Sequence, residues 1–93
     1  LKSTWLHATG ALPGIEGSMA KLFAASAFQT STADLLDLTG AEGLLHETEP
    51  DAPGAGVLEY QWRKSPVVTI YGGTNEVLRT IIAERHLGLP RTR

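Results

Sequence analysis

From Glu16 to Leu38 the chain runs without a proline, and its apolar and small residues recur at the three-four step of an α-helix. Met19, Leu22, Phe23, Ser26, Ala27, Thr30, Ala33 and Asp37 mark one face, and Phe28, Leu35 and Leu38 widen the stripe. The small residues Ala20, Ala24, Ala25, Ser26 and Ala27 let a neighbouring helix approach closely, which suits a bundle. Core packing, rather than an apolar box around a cofactor, is the expected use of this face.

At 93 residues there is room for one small domain, and a core of that size buries too little surface to be comfortably stable without a partner, metal or disulfide. No cysteine is available for a disulfide, a composition compatible with a reducing cytoplasm, where we expect the protein to reside. His7, His46 and His86 are scattered without ligand spacing, so no metal site is expected. A formal net charge of -2 offers no basic field for nucleic acid. Basic residues gather only at Arg63-Lys64, a solvated loop edge, and at the Arg91/Arg93 tail. No apolar stretch approaches the roughly eighteen residues that span a bilayer, and no N-terminal segment resembles a signal peptide. The chain opens on Leu1, with Trp5-Leu6 reading as the tail of an apolar helix, so a cut from a longer polypeptide is expected.

A second helix is signalled near the C-terminus. Thr74 is a good N-cap, Asn75 and Glu76 fill the first turn, and Val77, Leu78, Ile81, Ile82 and Arg85 share a face. Arg85 and His86 occupy the last turn, Gly88 is placed to cap and Pro90 to stop. Gly72-Gly73 stand directly before this helix. Residues without side chains at a helix start let an anion approach the unpaired N–H groups and the positive end of the dipole. A Gly-Gly-Thr alone is also an ordinary turn into a helix.

Between the helices, Gly40 and Gly43 end the first. Residues 46–56, with Pro50, Pro53, Gly54 and Gly56 among acids, read as an exposed loop without regular structure. Its acids, with Glu42, do not match a calcium loop and suit a solvated surface. Val57 to Arg63 is a short mixed run containing Tyr60 and Trp62, packed beneath the loop; Ser65-Pro66 then leads into Val67 to Tyr71, which has strand-like composition.

Two blocks carry a family resemblance. The string from Ser65 to Pro90, centred on Ile70-Tyr71-Gly72-Gly73-Thr74-Asn75-Glu76-Val77-Leu78-Arg79, resembles the C-terminal end of the acyl-CoA dehydrogenase family. Pro13-Gly14-Ile15-Glu16-Gly17-Ser18-Met19-Ala20-Lys21-Leu22-Phe23, followed by Asp34-Leu35-Leu36-Asp37-Leu38-Thr39-Gly40-Ala41-Glu42-Gly43-Leu44, is similar to that family's preceding long helix and glycine loop. The resemblance runs from about Trp5 to Arg91 in one order. It implies an all-α fold, part of an antiparallel helix bundle, with two main helices and shorter helical pieces. Residues 1–93 would form part of one C-terminal helical domain, and the strand-like composition of Val67 to Tyr71 is overridden accordingly.

By the same resemblance, Gly73, Thr74, Asn75 and Glu76 are expected to contact FAD, with the threonine hydroxyl and helix-start amides suited to diphosphate or ribityl oxygens. A carboxylate repels a diphosphate, so Glu76 is expected to accept from a ribityl hydroxyl or to pair locally with Arg79 or Thr80. A second family contact, in which one subunit reaches its neighbour's FAD through Gln-x-x-Gly-Gly, maps onto Asp37, Leu38, Thr39, Gly40 and Ala41. Asp37 stands in place of glutamine and Ala41 in place of the second glycine, so that contact is expected through backbone. Gly72 occupies the position where many relatives carry the catalytic glutamate, and glycine cannot abstract a proton. No catalytic residue is assigned, because Glu76 and Glu84 lie about one and three helical turns further on.

The implied role is the C-terminal part of an FAD-dependent acyl-CoA dehydrogenase, an oxidoreductase acting on an acyl-CoA, passing electrons to an electron-transfer flavoprotein and packing into a homo- or hetero-oligomer. The 93 residues by themselves are expected to be inactive. The alternatives are a non-catalytic subunit of a heteromeric dehydrogenase and a helical interaction module without flavin.

Overall fold

The structure, a computed structural model, describes residues 1–11 and 14–91; Pro13 and Arg93, both used above, lie outside the described residues. Among the described residues four α-helices follow one another: α1 Lys2–Ala8, α2 Glu16–Thr39, α3 Val57–Val68 and α4 Asn75–Arg85, with 3-10 turns at Gly40–Leu44 and Pro53–Gly56 between α2 and α3. Among the described residues there is no strand, so the all-α expectation holds. Val67 and Val68 form the last turn of α3, and Thr69 to Tyr71 belong to the connection into α4. None of the helices is long and apolar enough to cross a membrane.

α2 is the spine. α3 and α4 both pack against it, and α1 touches it near its start, where Lys2 and Glu16 form an ion pair at 2.8 Å. The expected stripe on α2 is only partly the buried one. Ala25, Thr32 and Leu36 are buried, whereas Met19, Phe23, Thr30, Asp37 and Leu38 are exposed, Phe23 by 76% and Leu38 by 83%. The apolar residues of α2 go round the helix, and α3 and α4 cover only part of that circumference. Where they do, small residues set the approach: Ala25 is buried, and Thr32 tucks its hydroxyl onto the Phe28 and Gln29 carbonyls at 2.9 and 3.1 Å.

α3 corrects the sequence reading most clearly. The run expected to end near Arg63 continues as one helix through Pro66. A proline inside a helix lacks the N–H that would reach the carbonyl four residues back, here that of Trp62. Ser65 supplies the missing donor: its Oγ donates to the Trp62 carbonyl at 2.8 Å, and the side chain is 1% exposed. Pro66 lies only two residues before the end of α3, so few bonds are disturbed.

The acidic loop is also more ordered than its composition suggests. Pro53–Gly56 makes a 3-10 turn in which Gly54, Ala55 and Gly56 all take positive φ, and Gly56 is buried. A Cβ on Gly56 would fall 2.5 Å from the Glu47 backbone nitrogen, so the loop closes on itself where glycine has no side chain.

The molecule is open rather than round. Its radius of gyration is 17.5 Å, against about 12 Å for a compact chain of this length. Its accessible surface is 6856 Å², against roughly 5200 Å² for a folded monomer of this mass. Among the described residues the buried apolar ones are Ala25, Leu36 and Leu78.

Candidate functional site

The connection from α3 to α4 is built as the sequence predicts, with its bonds now assigned. Thr69 ends α3 by bonding back to the Pro66 carbonyl from its backbone N–H at 3.1 Å and from its hydroxyl at 2.7 Å. Gly72 and Gly73 then take φ of +65° and +96°, which turns the chain into α4. Thr74 is extended, with φ -63° and ψ 153°, and its Oγ1 accepts the Val77 N–H at 3.2 Å, the bonding expected of an N-cap. At the far end Gly88 has φ +67°, and the Leu89 N–H bonds to the Ala83 carbonyl at 3.1 Å, which closes the helix where a capping glycine was expected.

Not every amide at the start of α4 is open. The Asn75 N–H bonds to the Thr69 carbonyl at 3.0 Å, and that of Val77 is taken by Thr74. The N–H groups of Thr74 and Glu76 have no partner among the described residues. These, beside a bend with no side chains, are among the donors the chain presents to an anion or an oxygen-rich ligand. A Cβ at Gly72 would meet nothing within 4 Å among the described residues, whereas one at Gly73 would meet Leu78 at 3.4 Å, so the bend is open on its Gly72 side.

The side chains of the expected contact residues diverge. Glu76 points into solvent and pairs with Arg79 at 3.8 Å, both groups being well exposed, a contact that contributes little in water. Asn75 turns inward: it is 7% exposed and donates from Nδ2 to Ser26 Oγ on α2 at 3.4 Å. Its Oδ1 is buried without a partner, so the start of α4 holds one unmet acceptor. Lys21, also on α2, donates from Nζ to the Gly73 carbonyl at 2.8 Å. Sequence reasoning passed over Lys21 and Ser26, because each is one residue of an ordinary helix face whose partner lies about fifty positions away.

The second expected set, Asp37, Gly40 and Ala41, lines a shallow depression with Leu36 and Leu44 at the other end of α2. Gly40 ends the helix with φ 67° and ψ -156°, a conformation essentially confined to glycine, and its N–H bonds to the Asp37 carbonyl. Sixteen residues of α2 separate Asp37 from Lys21, a rise of about 24 Å, so the two sets do not meet within one chain.

This sequence matches the family model described as acyl-CoA dehydrogenase, C-terminal domain, over residues 1–87. The chain belongs to the acyl-CoA dehydrogenase family. Among curated relatives, it is 36% identical over 76 residues to acyl-CoA dehydrogenase FadE26 of Mycobacterium tuberculosis, covering 82% of this chain and 19% of that protein. It is 37% identical over 83 residues to an acyl-CoA dehydrogenase of Bacillus subtilis, covering 89% of this chain and 20% of the relative. A shorter stretch of 23 residues, 25% of this chain and 6% of the relative, is 78% identical to acyl-CoA dehydrogenase IpdE1 of Mycobacterium tuberculosis. The chain thus spans about a fifth of the length of the first two relatives. No solved structure matches it. For an acyl-CoA dehydrogenase domain the relevant test is whether the bend fits a flavin nucleotide. Open amides at Thr74 and Glu76 beside the open Gly72 side of the bend are compatible with a ligand rich in hydroxyl and phosphate groups.

Proposed function

We propose that the chain forms the C-terminal part of an FAD-dependent acyl-CoA dehydrogenase and contributes one edge of its flavin site through the bend at Gly72-Gly73 and the start of α4. The observation that carries this reading is the open amides of Thr74 and Glu76 beside the open Gly72 side of the bend. FAD, when bound, would take up hydride in the oxidation of the acyl-CoA substrate, and electrons would leave to an electron-transfer flavoprotein. The chain's own part is to bind and orient. Thr74 fixes the first turn of α4 through its hydroxyl, and the Thr74 and Glu76 amides offer donors to phosphate or ribityl oxygens. The Glu76 carboxylate pairs with Arg79, which moderates its repulsion of a phosphate. Asp37, Gly40 and Ala41, at the far end of α2, are suited to the FAD of a neighbouring subunit, with contact through backbone, and the exposed apolar faces suit packing into an oligomer.

No residue of this chain is assigned as the base. Gly72 brings no carboxylate to the bend, and Glu76 is turned to Arg79. In this reading the base lies elsewhere in the longer protein; a second reading is a subunit that supports a catalytic partner in a heteromer without performing proton abstraction itself. The two share the flavin edge, so one experiment tests it for both. In the protein at its native length, Thr74→Pro, which fits the φ of -63° and removes both an open amide and the cap hydroxyl, is expected to hold FAD roughly tenfold more weakly by equilibrium dialysis, the scale of losing a helix cap and a ligand contact. Equal retention by variant and wild type would remove the flavin role.

A further inference from the structure

The glycine bend has no side chains to hold it, so its peptide planes must be fixed from elsewhere. Lys21 does this from α2. Its Nζ donates to the Gly73 carbonyl at 2.8 Å across 52 positions of sequence, a charge-assisted bond of the stronger kind. The peptide between Gly73 and Thr74 is trans, so its C=O and N–H point in opposite directions. With the carbonyl held toward Lys21, the Thr74 N–H is directed away from that ammonium group, and it is one of the open amides of the site. None of the ion pairs among the described residues involves Lys21, so no carboxylate competes for its ammonium group there.

We propose that Lys21 is a positioning residue for the cofactor bend: by gripping the Gly73 carbonyl it aims the Thr74 amide at the oxygen-rich group the bend receives, an inference that rests on the flavin reading above. Its role is separable from holding α4 in place. α4 stays docked through buried Leu78 and through Asn75 on Ser26, and its cap at Thr74 is local. Loss of Lys21 therefore frees one peptide plane rather than one helix.

The test uses wild type, Lys21→Met and Lys21→Arg in the protein at its native length. FAD affinity is followed by quenching of flavin fluorescence, the melting temperature is taken without added FAD, and the backbone amide of Thr74 is followed by ¹⁵N NMR. Lys21→Met, which keeps the length of the side chain and loses the donor, should weaken FAD binding roughly tenfold. It should also move the Thr74 resonance while leaving the melting temperature nearly unchanged. Lys21→Arg, which keeps the charge and the donors, should recover most of the affinity and the resonance. Wild-type affinity in Lys21→Met, or a loss of affinity that follows a drop in melting temperature and is not recovered by arginine, overturns the proposal. Should the wild type itself bind no FAD, the flavin reading falls. The Thr74 resonance then still decides the local claim, since an unmoved signal in Lys21→Met means that Lys21 does not set the bend.

Discussion

Two single residues explain backbone that composition would have discouraged. Ser65 lets α3 pass through Pro66 by donating to the carbonyl that the proline cannot reach. Ser65→Ala leaves that carbonyl without its donor in a buried position, so the protein at its native length should lose about 1–2 kcal/mol in urea denaturation. If instead the loss is within error, the Trp62 carbonyl is satisfied by something other than Ser65. Gly56 presents the opposite constraint, since it combines φ +71° with a backbone approach of 2.5 Å from its missing Cβ to Glu47. Gly56→Ala adds a methyl group where neither conformation nor space allows one, and a cost of about 2–4 kcal/mol is expected in the same measurement. Neither residue touches the bend, so flavin retention at saturating FAD should be preserved wherever the variants still fold.

At the scale of elements, α3 is supported by an ion pair between neighbouring turns. Arg63 Nε meets Glu59 Oε1 at 2.8 Å, with glutamate on the N-terminal side, the favourable order in a helix. The hydrogen bond from Arg63 holds the Glu59 carboxyl below its usual range, and the same contact raises the Arg63 guanidinium. Because the folded carboxyl titrates lower than the unfolded one, its support is present above the ordinary carboxylate range. It is lost as pH falls through the lowered folded value. Comparing Glu59→Gln with wild type should show a lower melting temperature for the variant at pH 7 and convergence of the two in acid below the lowered folded value. A gap that persists in acid would mean that the glutamate acts through packing. At this same scale, Thr74 and Gly88 mark both ends of α4 in the sequence because caps are local. The continuation of α3 past Arg63 is not legible in the same way, since Pro66 is by itself a stop signal and only the Ser65 hydroxyl reverses it.

The whole molecule is an open layer of helices on one spine. Large apolar groups remain in solvent on several sides, among them Phe23, Leu38, Ile70 and Tyr71, and the accessible surface exceeds that of a closed monomer by about 1600 Å². Surface of that kind belongs to contacts with more protein. The 93-residue chain studied alone should therefore self-associate or bind hydrophobic dyes as a partly molten species. Sedimentation velocity showing a monomer, together with a sharp two-state melt, would contradict this.

The sequence by itself determined the long proline-free helix, the capped helix after the glycine pair, the absence of strands from a chain with strand-like stretches, and the family. The two helices follow from signals that act over a few positions: spacing along one face, a hydroxyl three residues from an amide, a glycine where φ must be positive; the family follows from two blocks of resemblance, which also implied that the strand-like stretch is helical. Tertiary structure alone decided which face of α2 is buried, that Asn75 turns inward onto Ser26, that Lys21 grips the Gly73 carbonyl, and that Asp37 lies a helix length from Thr74. Each of these depends on which segments are brought together from about fifty residues apart, or on how far one helix carries them from each other, and contacts of that range leave no periodic trace in the chain.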